Sequence, residues 1–277
     1  MQLRKYFAAT FAALLLTGAS VVNAAIPLTP IDVTWNPSAT PISNAPAFTF
    51  DNIVLNTYLT IDVTGGTTFT DTGFLKLAIF TNDGLPTSVP NAGFPSGTPY
   101  SLYVQFTGTG TQTAGVPSTG SFTALTYSLI GAPGVTTFSQ AANGSFTAVN
   151  AGPAITLATG SLLSPGTNSL TVDPGTGLLL PAAEVTASFI PNPAFAGFFV
   201  NPPATTQLTV TAAFTSTGTV VSQSTTGNTT RLSVNGGGGN ATLAVAAIPE
   251  PDTYGMLLAG LGLIGFIARR KSKRETA

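Results

Sequence analysis

The chain has 277 residues, of which 43% are hydrophobic and only 7% are charged, whereas an ordinary soluble domain carries about 25% charged residues. It contains no cysteine and no histidine, which excludes disulfides, thiolate and imidazole metal ligands, and catalysis by either side chain. The 30 glycines and 21 prolines, in a chain rich in threonine and serine, favour β-structure with many turns.

The few charges are concentrated at the two ends of the chain. Between residues 25 and 248 the only basic residues are Lys76 and Arg231, against seven acidic residues, so this part has a net charge of −5. Nucleic-acid binding depends on a basic patch. We therefore expect no nucleic-acid partner.

The N-terminal residues are typical of a secretory signal. Arg4 and Lys5 form a basic start, an apolar segment runs from Phe7 to Gly18, and small residues precede a cleavage site between Ala24 and Ala25. We predict a signal helix over residues 1–24 that signal peptidase removes, so that the remainder of the chain is exported.

Residues 25–47 contain several prolines and little periodicity, which predicts an irregular lead-in. Over residues 48–247 the main pattern is strict alternation, as in Leu59, Ile61 and Val63 with polar residues between them. Such a strand buries one face and exposes the other. Similar runs are separated by turn signals such as Thr64-Gly65-Gly66, Asn82-Asp83-Gly84, Ser164-Pro165-Gly166 and Thr226-Gly227-Asn228.

About ten short strands at this spacing predict an all-β domain, an antiparallel β-sandwich or a jelly-roll-like fold. One segment interrupts the pattern: residues 235–240 read Asn-Gly-Gly-Gly-Gly-Asn. This segment is either a hairpin loop or the start of a flexible spacer.

The C-terminal residues have three consecutive features. Pro249-Glu250-Pro251 breaks regular structure, residues 254–268 carry no charge, and the basic residues Arg269, Arg270 and Lys271 follow at once. The apolar stretch is near the short limit for a spanning helix, which needs about 20 residues, and basic residues stay cytoplasmic. We predict a transmembrane helix that places residues 25–248 across the membrane.

In these three features, residues 248–274 resemble the PEP-CTERM sorting signal of Gram-negative bacteria that make exopolysaccharide. The resemblance implies recognition by a membrane exosortase that cuts near Pro249-Glu250-Pro251. It also implies an intermediate tethered to the inner membrane, followed by transfer to the cell surface or the extracellular matrix.

Several sequence segments of the middle region are similar to segments of flocculation-associated PEP-CTERM proteins. They are Leu59-Thr60-Ile61-Asp62-Val63, the segment from Phe69 to Phe74, the segment from Tyr100 to Gly110, and the glycine run after Asn235. This resemblance implies a role in holding cells and exopolysaccharide together in flocs or biofilm, and it supplies no catalytic residue.

The carboxylates offer only weak indications of catalysis. Asp71-Thr72-Gly73 matches one aspartic-protease triplet, but that chemistry needs two carboxylates and the sequence has no second triplet. We therefore interpret the triplet as a turn at a strand end. A glycosidase pair could involve Asp71 and Glu184, although we expect Glu184 on a solvated strand face.

Ligand contacts are equally sparse in the sequence. A calcium site could combine Asn82-Asp83-Gly84 with Asp51 or Asp71, but a hairpin turn explains the triplet better, and we expect no metal and no cofactor. Sugar contact would use exposed aromatic rings, for which the candidates are Trp35, Tyr58, Tyr100 and Tyr103. Tyr100 and Tyr103 are an odd number of residues apart, which predicts opposite faces of one strand.

The sequence therefore predicts a non-enzymatic protein of the cell surface or extracellular matrix that is sorted by exosortase and associates with exopolysaccharide. Two alternatives remain: a lectin-like module with one sugar pocket, and a secreted glycoside hydrolase.

Overall fold

The structure is a computed structural model that describes residues 29–87, 99–215 and 220–245. The predicted signal peptide, its cleavage site at Ala24 and Ala25, and the C-terminal segment from Pro249 onward lie outside these residues. Within the described ranges, the structure contains no helix of the length and apolarity that crossing a membrane requires.

The described residues form 16 β-strands and two short 3₁₀ helices, Pro37–Ala39 and Pro193–Phe198. In chain order the strands are β1 (Thr29–Pro30), β2 (Val33–Trp35), β3 (Phe48–Phe50), β4 (Asn52–Thr64), β5 (Thr68–Asn82), β6 (Leu85–Pro86), β7 (Tyr100–Gln112), β8 (Ser118–Pro133), β9 (Thr137–Gln140), β10 (Phe146–Val149), β11 (Ile155–Val172), β12 (Leu179–Pro191), β13 (Phe199–Asn201), β14 (Leu208–Thr215), β15 (Val220–Thr226) and β16 (Thr229–Val245).

Eight long strands form a barrel-like antiparallel sheet in the order β4, β5, β7, β8, β11, β12, β14 and β16. β16 pairs in turn with β4, from Thr229 opposite Thr64 to Thr242 opposite Asn52, and this pairing closes the sheet. The predicted antiparallel all-β class is confirmed. The two-sheet sandwich is wrong, because the first and last long strands pair with each other instead of forming the edges of separate sheets.

The predicted alternation places one face of each long strand inside the closed sheet. Leu59, Ile61 and Val63 are all buried, at 0%, 8% and 6% exposure, and they belong to one continuous apolar core. Because apolar side chains from all eight strands meet there, the hydrophobic effect favours closure of the sheet.

Two predicted breaks lie inside strands instead. Ser164-Pro165-Gly166 falls within β11 at a place where the pairing register shifts, as at a β-bulge. Residues 235–240 are neither a loop nor a spacer, because they continue β16 from its pairing with β15 to its pairing with β14. Gly236, with φ at +82°, accommodates the register shift opposite β4.

Other turn predictions are confirmed by the backbone. Gly65 and Gly66 connect β4 to β5 with positive φ, and Gly227 connects β15 to β16. Asp83 and Gly84 connect β5 to β6 with φ of +51° and +75°, the left-handed conformation that two-residue hairpin turns require.

A small sheet of β13, β2 and β3 packs at the end of the barrel where β4 begins and β5 ends. Trp35 of β2 lies against Phe50 and Phe80, with ring centroids 4.7 and 5.8 Å apart. The segment for which we expected an irregular lead-in therefore contains ordered strands, and its tryptophan is part of the core. We call this small sheet the plug.

Candidate functional site

Three of the four aromatic residues considered for sugar contact are buried, and the fourth, Tyr58, is partly buried against the ring of Phe138. Trp35 is 1% exposed, Tyr100 is 0% exposed and Tyr103 is 3% exposed, so none of them offers a ring face at the surface. The prediction for these three rings is wrong. Closure of the sheet, the plug and the β9–β10 hairpin cover them, and the alternation in the sequence does not show which outward-facing rings other elements will cover.

Tyr100 and Tyr103 do lie on opposite faces of β7, as predicted. Tyr100 belongs to the core inside the barrel, whereas Tyr103 belongs to a separate outer cluster with Phe74 and Phe146. The β9–β10 hairpin covers this outer cluster. The Phe138 ring of the hairpin stacks on the ring of Tyr58, which packs against the cluster, at a centroid distance of 4.5 Å.

The hairpin is also held by polar contacts at its turn. The Thr60 and Ser233 hydroxyls both donate to the carbonyl of Gly144, at 3.1 and 2.9 Å. Arg231 donates from Nη1 to the carbonyl of Asn143 at 2.8 Å and forms an ion pair with Asp62 at 2.6 Å. This part of the exterior is therefore covered by the protein itself.

Asp71 lies inside the barrel, and it is paired within β5 on both sides, opposite Ile61 and Gly108, instead of forming a turn at a strand end as predicted. It is 1% exposed, its Oδ1 has no hydrogen-bond partner among the described residues, and burial raises its pKa to about 8. Glu184 is exposed on the outer face of β12, as predicted. The structure therefore does not bring together the two carboxylates considered for glycoside hydrolysis.

Asp51 and Asp83, two residues considered for calcium, do meet, but as a turn contact. The backbone N–H of Asp83 donates to Oδ2 of Asp51 at 2.9 Å. In the part of the chain that the structure describes, no three acidic side chains are grouped as a metal would require.

A regular array of threonines lies on the outer face of β5 and β7. Three threonines of β5 stand directly opposite three of β7, and all six are exposed. Neighbouring strands lie about 4.8 Å apart and alternate residues about 6.8 Å apart, so the hydroxyls form a two-by-three grid. We call this the threonine array: Thr68, Thr70, Thr72, Thr107, Thr109 and Thr111.

The array is available to an external partner. Thr68 donates its hydroxyl to the carbonyl of Thr64 at 3.0 Å, and no intramolecular partner engages the other five hydroxyls within the described ranges. The row continues sideways, since Thr107 stands opposite Thr126 of β8, which in turn stands opposite Ser161 of β11. The threonine array was not predicted from the sequence, although the alternating threonines at 68–72 and 107–111 could have indicated it.

The barrel interior contains a cavity of about 80 Å³. Side chains from every barrel strand except β11 line it, together with Trp35 from the plug. The lining side chains are aliphatic or aromatic, and Tyr127, which has the one hydroxyl among them, donates it to the carbonyl of Ser188 at 2.7 Å. The indole Nε1–H of Trp35 has no acceptor within the described ranges.

Residues 247–271 match the family model of the PEP-CTERM protein-sorting motif. The chain carries a PEP-CTERM sorting domain, as predicted, and the match includes Pro249-Glu250-Pro251 and the basic residues Arg269, Arg270 and Lys271. The motif indicates an exported protein that exosortase sorts through a membrane-anchored stage to the cell surface. No curated protein and no solved structure matches the chain.

Proposed function

We propose that the barrel is a non-enzymatic matrix protein that binds exopolysaccharide through its threonine array. The observation that carries this proposal is the regular grid of exposed hydroxyls on β5 and β7, five of which have no intramolecular partner among the residues that the structure describes. Threonine hydroxyls both donate and accept hydrogen bonds, as do sugar hydroxyls, and repeated weak contacts along a polymer add up through effective concentration.

The charge of the exterior supports the same proposal. Arg231, one of the two basic residues of the exported region, is paired with Asp62. A surface with few unpaired charges forms contacts that depend little on salt. Binding to a neutral polysaccharide is therefore expected to persist at high ionic strength.

The alternative of a lectin-like module has less support. Stacking of a sugar on an aromatic ring requires an exposed ring face. Of the four rings considered for it, three are buried, and Tyr58 is partly buried and already stacks on Phe138. The threonine array is a broad polar surface, so we expect weak retention of many glycans.

The test begins by locating the tagged protein in strains with and without exosortase, because the protein can bind the extracellular matrix only if it reaches the cell surface. A variant with Thr70, Thr107 and Thr109 replaced by valine keeps the β-branched shape and removes three hydroxyls. A matched control carries valine at the exposed positions Thr171 and Thr225, outside the array.

Binding of each variant to the exopolysaccharide of the host is measured by co-sedimentation, and floc formation is scored in parallel. We expect the array variant to bind at least fivefold more weakly, since each hydrogen bond contributes roughly 1 kcal/mol, and the control to bind like the unmodified protein. Equal binding by the array variant and the control would refute the role of the array.

A further inference from the structure

Strand β15 continues along β16 past the residues that pair with β14, and it has a strand partner on one side only. It pairs with β16 as far as Thr226, opposite Thr229. β12 comes near it but pairs with β11 and β14 instead, and no other strand of the described residues pairs with β15. Ser222 to Thr226 are all exposed, with one side-chain contact, 3.4 Å from Nε2 of Gln140 to Oγ of Ser222. The outer edge of β15 is therefore open to a partner.

Alternate residues of β15 direct their backbone N–H and C=O groups away from β16. The two-residue turn Gly227-Asn228 joins Thr226 to Thr229, and such a turn carries a hydrogen bond between the residues that flank it. Thr226 therefore bonds to β16. Because bonding alternates along an antiparallel pair, Gln223 and Thr225 face outward, and no backbone hydrogen-bond partner for them lies within the described ranges.

The composition of β15 indicates which partner suits this edge. Natural proteins protect exposed edges with charged residues or prolines, and the sequence of β15, Val-Val-Ser-Gln-Ser-Thr-Thr, contains neither. From Ser222 onward its side chains are hydroxyls and one carboxamide, groups that both donate and accept hydrogen bonds. An identical strand is therefore complementary to it, and no repulsion between like charges opposes the pairing of two copies.

We propose that β15 pairs antiparallel with β15 of a second copy of this chain, about a two-fold axis at Ser224. In this register Gln223 of each copy stands opposite Thr225 of the other, and each of these pairs exchanges two backbone hydrogen bonds. Ser222 stands opposite Thr226, so all five exposed residues are paired. The interface is isologous, as two-fold symmetry requires.

Confinement to a membrane surface favours this pairing. The sorting motif indicates a membrane-anchored stage and then the cell surface, and copies held on one surface meet at a high effective concentration, at which weak contacts add up. The interface is separate from the threonine array, which lies on β5 and β7. Failure of polysaccharide binding would therefore leave this proposal standing, and the reverse also holds.

The register is tested by cysteine crosslinking, because the chain has no cysteine of its own. Ser224 of each copy forms a non-hydrogen-bonded pair with Ser224 of the other, with Cα atoms about 4.5 Å apart, a distance that a disulfide spans. Full-length Ser224→Cys in detergent is oxidised mildly and followed on non-reducing gels. We expect it to form dimers several times faster than Thr171→Cys, which places a thiol at an exposed position of β11.

A mixture of two variants tests the antiparallel arrangement. Ser222→Cys mixed with Thr226→Cys is expected to crosslink faster than either variant alone, because these positions face each other only between copies. Equal rates for the mixture and the single variants, or equal rates for Ser224→Cys and Thr171→Cys, overturn the proposal, whatever other contact brings copies together.

Proline at position 225 tests the backbone hydrogen bonds. Thr225→Pro removes an N–H that faces away from β16, where an edge strand tolerates proline. Added to Ser224→Cys, it is expected to slow crosslinking at least about tenfold, because each copy loses one hydrogen bond. Fluorescence of the buried Trp35 verifies folding, and an unchanged rate in the folded variant overturns the proposal. If this variant does not fold, the cysteine mixtures decide.

Discussion

Replacement of Asp71 by asparagine removes a buried carboxyl group while keeping its size. Burial raises the pKa of Asp71 in the folded chain to about 8, from 3.8. Between these two values the folded protein keeps a proton that the unfolded chain has released. The stabilising effect of this proton is therefore complete below about pH 4 and is lost as the pH rises towards 8.

The magnitude follows from the pKa difference. Over this window the free energy of unfolding falls by about 1.4 kcal/mol per pH unit, which amounts to about 3 kcal/mol between pH 6 and pH 9. The chain has no histidine and no cysteine, so few other side chains titrate in this range. We expect the Asp71→Asn protein to lose almost none of its stability over the same range.

The assay is urea unfolding at several pH values, followed by the fluorescence of Trp35, which reports on the core because it is buried. Glu184→Gln is the matched control, since it removes an acid from the exposed face of the sheet and should keep the slope of the unmodified protein. Parallel pH profiles for the unmodified protein and Asp71→Asn would show that Asp71 is not held protonated in the interior, and the reasoning would be wrong.

Two further predictions concern packing. A Cβ at Gly160 would collide with the carbonyl of Ser188, so Gly160→Ala should destabilise the protein by about 1–3 kcal/mol in urea unfolding. Gly238→Ala, with open space around it, should change stability by less than about 0.5 kcal/mol, and equal effects of the two would contradict the packing argument. Phe138→Ala should accelerate hydrogen exchange in β9 and β10 by removing the ring stack that anchors them, whereas Val149→Ala, at an exposed site, should not. Exchange unchanged in the phenylalanine variant would show that the polar contacts alone hold the hairpin.

Local chemistry along the chain was sufficient for several conclusions. Alternation of apolar and polar residues is set by the two-residue repeat of a strand, so the buried positions around Leu59 and the opposite faces of Tyr100 and Tyr103 could be predicted. The same holds for turns that depend on a left-handed backbone, such as Asp83-Gly84. The PEP-CTERM motif is likewise a linear pattern, and it was recognisable from the order of its residues alone.

Closure of the sheet was decided only in the tertiary structure. Whether β16 pairs with β4 depends on a contact between strands more than 160 residues apart, and no local preference encodes it. The glycine run of β16 shows why, since glycines that suit a loop equally suit a strand that must shift register and change partners. Formation of the cavity follows from that closure, because strands from both ends of the sheet line it. Alignment of two separate threonine repeats into one array follows from the pairing of β5 with β7, and burial of Trp35 follows from packing of the plug against the barrel. Each depends on residues that approach one another only when the chain is folded.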